Sequence, residues 1–239
     1  SWNDAYCYDP DRFGVTYLLD AYEGGEPLPE SQRCPTGWEW RGEIGGASVC
    51  VHAEPWSTTL LWRNTDGKWS SEVESLEEMC PDGWELLGDY WYGGVSCGTP
   101  EQLPVATLYI SADGKSPDDV ADRADICPDG WTWLGEGYGS TQMCAGPGGS
   151  VFSLDERTDG TTLADVAPDI GALCPDGSTY IGAYSDAAVC HSPTPMTIAW
   201  MVRDTEGNEA ENLPSPGDVC PEGWTWIGML SSGAVCGHE

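Results

Sequence analysis

Cys127–Gly137 reads CPDGWTWLGEG, and the chain writes four close relatives of it: CPTGWEWRGEI from Cys34, CPDGWELLGDY from Cys80, CPDGSTYIGAY from Cys174 and CPEGWTWIGML from Cys220. The lead cysteines are separated by 46, 47, 47 and 46 residues. Each is followed 16 or 17 residues later by a second cysteine (Cys50, Cys97, Cys144, Cys190, Cys236), and the next lead cysteine always comes 30 residues after that. Such periodicity makes the repeat the structural unit. The Pro-x-Gly after each lead cysteine is turn chemistry. The following WTWLGEG predicts a strand in which Trp131 and Trp133 face one way and Thr132 and Leu134 the other. A glycine-rich tip then reverses the chain, and STQMC returns as the second strand of a hairpin.

After each hairpin comes a short apolar run rich in β-branched and aromatic residues, which predicts a strand. These runs are VTYLLDA from Val15, STTLLWR from Ser57, VATLYIS from Val105, SVFSLDE from Ser150 and MTIAWMV from Met196, each closed by a glycine turn such as TDG at Thr65. The segment before the next lead cysteine is expected to hold one or two helical turns in some repeats and loop in others. Ser116 followed by Pro117, Asp118 and Asp119 is a helix start, with Val120, Ala124 and Ile126 as its apolar stripe. Pro168, Pro214 and Pro216 are expected to interrupt the later copies. The expected fold is therefore all-β with minor short helices: five tandem repeats spanning 1–50, 51–97, 98–144, 145–190 and 191–239, stacked as a rod or closed as a five-bladed propeller.

Eleven cysteines in 239 residues, with 31 glycines, describe a disulfide-stapled chain from an oxidising compartment, secreted or at a cell surface. Ser1 at the start fits a mature form whose export signal has been removed. Two pairings respect the repeat. Either each hairpin closes on itself (Cys34–Cys50, Cys80–Cys97, Cys127–Cys144, Cys174–Cys190, Cys220–Cys236), leaving Cys7, or each trailing cysteine bonds the next lead, leaving Cys236. The first places both sulfurs at the open end of one hairpin and is favoured. A loop of that length contributes about 3 kcal/mol, which a module this small needs. Cys7 is then a free thiol or pairs with its own copy in a second subunit.

Forty acidic residues against nine basic ones give a net charge of −31, which turns nucleic acid and anionic membrane away. No apolar run is long enough to span a membrane. The spacing of the cysteines does not suit zinc. Calcium ligands could come from Asp113, Asp118 and Asp119, or from Asp204, Glu206 and Asn208, but neither set completes an EF-hand loop. No cofactor is otherwise implied. There is no nucleophile elbow, zinc-protease or phosphate-loop motif, so no enzyme is expected.

The opening phrase is similar to the Cys-Pro-x-Gly-Trp start of C-type lectin domains, over fewer than twenty residues per copy. The long remainder of that fold and its calcium motif are missing, so the likeness is that of one turn solution. Repeat number and length are also similar to those of five-bladed propeller lectins of the tachylectin kind, without a shared motif.

The tryptophans admit two uses. Rows of aromatic residues build the core or seam of small β modules, or bind sugar faces in a multivalent lectin. For the second use the contact residues are Trp38, Trp84, Trp91, Trp131 and Tyr180. The chain also opens and closes at the same point of the repeat: NDAYCYDP at Asn3 matches SDAAVCHSP at Ser185, and SGAVCGHE ends the chain in that register. This leads to the expectation of a structural subunit that polymerises head to tail with copies of itself. Its interface would draw on Trp2, Tyr6, Tyr8, Phe13 and Tyr17 at one end and Trp224, Trp226 and Val235 at the other. A secreted multivalent glycan-binding protein is the alternative.

Overall fold

The computed structural model describes residues 15–23, 26–29, 32–44, 47–54, 56–167, 169–202 and 208–238. Trp2, Tyr6, Cys7, Tyr8, Phe13, Asp204 and Glu206 lie outside them. The described chain is mostly β, with one short α-helix at Leu163–Val166 and several 3-10 turns.

Each predicted apolar run is a strand, and it pairs with the return strand of its own repeat's hairpin. In the first repeat Val15–Leu18 pairs with Ala47–His52, which pairs with Trp38–Ile44. In the second, Ser57–Leu61 pairs with Gly94–Thr99 and that with Glu85–Tyr90. In the fourth, Ser150–Leu154 pairs with Ala187–Ser192 and that with Thr179–Tyr184. In the fifth, Thr197–Met201 pairs with Gly233–His238 and that with Thr225–Leu230. All are antiparallel. The third repeat carries the corresponding strands Val105–Leu108, Thr132–Glu136 and Gln142–Ala145.

The disulfides follow the first pairing. Cys34–Cys50, Cys80–Cys97, Cys174–Cys190 and Cys220–Cys236 are bonded with Cα separations of 5.6–5.7 Å, and Cys127 and Cys144 are also disulfide-bonded. Among the described residues no helix is long and apolar enough to cross a membrane.

The Pro-x-Gly turns form as read. Pro35, Pro81, Pro128, Pro175 and Pro221 each accept a hydrogen bond at 3.0 Å from the residue three positions on. Gly37, Gly83, Gly130, Gly177 and Gly223 supply the positive φ that such a turn requires.

Strict alternation along the next strand does not survive. The pairing register slips by one residue between Trp40 and Gly42, Leu86 and Gly88, Tyr180 and Gly182, and Trp226 and Gly228. These are β-bulges, which re-aim the residue they insert. Two neighbouring apolar residues can then both be buried, as Leu86 and Leu87 are. In the third copy Leu134 is buried while Thr132 is exposed, so the two do not share an environment.

The connecting segments also differ from expectation. Ser116 starts a turn, not a helix: its N–H and hydroxyl both donate to Asp119. Asp122 then caps a new 3-10 turn, Arg123–Ile126, by accepting from the Ala124 N–H, and this local bond competes with helix continuation. Similar turns occupy Leu76–Met79, Ile170–Leu173 and Pro216–Val219, each ending just before a lead cysteine. Their last residues, Met79, Ile126, Leu173 and Val219, are buried. Pro216 does not interrupt its turn. It stands at the first position, where no intrahelical N–H bond is lost.

The chain forms two compact units. One comprises residues 1–105 and 133–145, the other 106–132 and 146–239.

Candidate functional site

The feature repeated most faithfully is the joint between consecutive repeats. In the first unit, the residues just past Leu18 cross onto the second hairpin. Leu19 N–H donates to Asp89 O, and Asp89 N–H donates to Asp20 O, both at 3.0 Å. Past Leu61 the chain does the same on the third hairpin, with Trp62 N–H to Glu136 O at 2.7 Å and Glu136 N–H to Arg63 O at 2.9 Å. In the second unit, Ile110–Ser111 pairs with Ala183 and Gly182, and Glu156–Arg157 pairs with Met229 and Gly228. Each of these four lead strands therefore ends in a hook, just past a buried leucine, that hydrogen-bonds to the first strand of the following hairpin.

The glycine eight residues after the lead cysteine is the seat for that hook in the second to fifth copies of the opening line. A Cβ on Gly135 would stand 2.5 Å from Arg63 O, and one on Gly228 would stand 2.6 Å from Glu156 O. Gly88 and Gly182 meet Asp20 O and Ile110 O in the same way, and Gly88, Gly182 and Gly228 also meet the Leu18, Leu108 and Leu154 side chains. No other residue type leaves room for the backbone to pass so closely.

The residue just before the seat glycine completes the joint. Leu87 packs with Leu18, Ala21, Trp38 and the Cys34–Cys50 sulfurs of the first repeat. Leu134 packs with Leu61, Met79 and Val95 of the second, and Ile227 with Phe152, Leu154 and Leu173 of the fourth. Each such plug contributes about 1.5–3 kcal/mol of burial. Under these joints Leu18, Leu61, Leu108 and Leu154 are all 0% exposed.

The joints also carry charge. Asp20 N–H donates to Asp89 Oδ1 at 2.8 Å, and burial, followed by the nearby Asp20 carboxylate, pushes the Asp89 carboxyl above its ordinary value against that hydrogen bond. At the next joint Arg63 Nη1 reaches Glu136 Oε2 at 3.4 Å.

The fifth repeat has a core of its own, made by Ala210, Val219, Met229, Ala234 and Cys236 with Met201, Leu213, Trp224 and Trp226 against it. Met201 takes the position of the four buried leucines but is only half-buried. Trp226 donates from Nε1 to Gly228 O at 2.8 Å, and Trp224 stacks at a tilt on His238. Val235 lies in the core shared by the fourth and fifth repeats. Tyr17 sits in the first lead strand opposite Val49.

The aromatic residues weighed for sugar contact form no exposed row. Trp38 is buried, edge-on to His52 and Trp56. Trp84 and Tyr180 pack against cores, Trp131 meets His191 edge-on, and Trp91 packs on Tyr90. The tip aromatics Tyr92 and Tyr138 are the most exposed of the described aromatic residues.

Among the described residues no cluster of three or more metal-ligating side chains occurs. Asp113 is engaged by Lys115 at 2.6 Å and by the Ser111 hydroxyl, which together hold its carboxyl below the ordinary range. The hook, seat and plug were not legible as a set beforehand. The signal was the invariant glycine at the eighth position after each lead cysteine, hidden among 31 glycines. Comparison with family models, curated proteins and solved structures returned no match.

Proposed function

We propose that the chain is a structural subunit of an extracellular filament or surface assembly, and that the joint linking its repeats also links its copies head to tail into a rod. The observation that carries this reading is Met201. Its four counterparts are sealed by the next hairpin, while Met201 stays half-buried. The occupant that fits is the first hairpin of another copy, whose Gly42 stands at the seat position with the same bulge before it. Val202 and Arg203, the two residues past Met201, would supply the hook. Four copies of this contact inside one chain are the precedent for the fifth.

The sequence register adds to it. Arg203, outside the described residues, stands at the position of Arg63, and Glu43 at that of Glu136, so the intermolecular joint matches unlike charges. The plug position is Arg41, where the other repeats have Leu87, Leu134, Ile181 and Ile227. Arginine is at home in interfaces that must also meet water before assembly, whereas leucine suits a permanent core. Disulfides in every repeat suit an oxidising exterior.

Negative-stain microscopy tests the reading. Wild type is expected to form fibres, and Met201→Lys, which puts a second positive charge against the Arg41 plug position, is expected to remain monomeric with an unchanged melting profile. Monomeric wild type, or fibres undiminished by Met201→Lys, overturns it.

A further inference from the structure

We infer that the first compact unit carries a carbohydrate-binding cleft, formed by Trp62, Arg63, Trp69, Tyr92, Glu136 and Tyr138, that takes an uncharged pyranose of an oligosaccharide. The site is separate from the assembly reading and from the hairpin tryptophans. The cleft encloses about 450 Å³, within the range of small-ligand sites.

Large apolar side chains are rarely left in water together without a use. Seven are exposed among the described residues, and three of them, Trp69, Tyr92 and Tyr138, line this one cleft. Tyr92 is 86% exposed and Tyr138 68%. Neither is a loosely held side chain on a plain loop. Tyr92 sits at φ 61°, a conformation that tyrosine adopts at a cost, on the second hairpin's tip. Tyr138 is held edge-on by the buried Trp62 indole with ring centres 5.5 Å apart. Across the cleft the Arg63 guanidinium lies 4.4 Å above the Trp69 ring while Nη1 holds Glu136.

This combination selects a ligand that is apolar on one face and hydroxylated at its edge. The axial C–H groups of a pyranose carry slight positive charge and stack on the electron-rich face of tyrosine or tryptophan. The ring hydroxyls then meet the guanidinium, whose planar fork keeps further N–H donors beyond the one on Glu136. A purely apolar ligand would strand that ion pair away from water. An anionic sugar polymer would be repelled by a chain of net charge −31. The neutral sugar satisfies both conditions.

Isothermal titration of the full chain with cellohexaose, maltohexaose and chitohexaose tests this. Saturable binding of at least one is expected, weakened tenfold or more by Tyr138→Ala and by Tyr92→Ala. Tyr184→Ala, which removes an exposed tyrosine elsewhere, is expected to leave it unchanged. Thermal melting of each variant separates loss of the cleft from loss of fold, and Arg63→Lys, which keeps the charge but not the fork, is expected to weaken binding without unfolding. Absence of saturable binding by all three hexasaccharides, equal binding by the Tyr138→Ala and Tyr92→Ala proteins, or binding of an apolar dye alone overturns the inference. Polymerisation is irrelevant to the outcome, so a monomeric protein that binds sugar would leave this inference standing and remove only the assembly proposal.

Discussion

Leu86 and Leu87 are neighbours in sequence but belong to different cores: Leu86 packs with Leu61 and Met79 of its own repeat, and Leu87 with Leu18 and Trp38 of the one before. The bulge between Leu86 and Gly88 makes this possible, because it turns two consecutive side chains inward. One inserted residue therefore couples modules that would otherwise fold side by side.

The glycine that follows the bulge is expected to be irreplaceable for a steric reason. Gly88→Ala places a methyl group against Asp20 O and Leu18, and is expected to cost about 3 kcal/mol. Gly67→Ala has open space around it and only a positive φ to strain, so about 1–2 kcal/mol is expected. Denaturant titration of the two variants measures the difference. Equal losses would show that the hook can move aside.

The fourth repeat lacks the indole of its siblings. Ser178 stands where Trp38, Trp84, Trp131 and Trp224 stand, and an open cavity of about 570 Å³ lies against it, bounded also by Ser192, Met196 and Ile227. Ser178→Trp is expected to fill that space and stabilise the protein by roughly 1–2 kcal/mol. A lowered melting temperature would mean that the lining has already closed around serine.

Stability around the first joint is expected to depend on pH through Asp89. Its folded pKa is raised, so the folded state holds that proton more tightly than the unfolded chain does. Its contribution is therefore present at acid pH and lost as pH rises through the raised value. Asp89→Asn keeps an oxygen for the Asp20 N–H and removes the charge. The melting temperature of the variant, relative to wild type, is expected to climb by a few degrees from pH 3 to pH 7 and then stay level. The exposed carboxylates Asp113, Asp119, Asp159 and Asp165 have lowered values and act in the opposite direction, but they are common to both proteins.

Much of the repeat could be read directly from the chain. Cysteine spacing, Pro-x-Gly turns and β-branched runs are local signals, and the strands, turns and self-closed hairpins follow them. The bulge at Leu87 and its counterparts was not readable, because a one-residue register slip is decided by the partner strand and not by the strand that carries it. The hooks at Asp20, Arg63, Ile110 and Glu156 were equally hidden. They contact through backbone atoms, so their side chains share no common chemistry. The cleft around Tyr92 and Tyr138 brings together residues from two repeats, and only their place at hairpin tips hinted at exposure.

Removing one disulfide is expected to weaken one module. Cys174→Ser with Cys190→Ser opens a loop with a sequence separation of 16 residues and is expected to cost about 3 kcal/mol. A chemical-denaturation curve that acquires an early transition of that size is the expected result. An unaltered curve would show that the hook and plug alone hold the fourth repeat.

The central claim is that copies join by the same contact that joins repeats, and an end-complementation experiment tests it most directly. Gly42→Val blocks the seat and leaves the hook intact; Met201→Lys spoils the apolar contact beneath the hook and leaves the seat intact. Sedimentation velocity is expected to show polymers for wild type, monomers for each variant alone, and a one-to-one dimer when the two variants are mixed. A mixture that remains monomeric beside polymerising wild type, or either variant polymerising by itself, would contradict it.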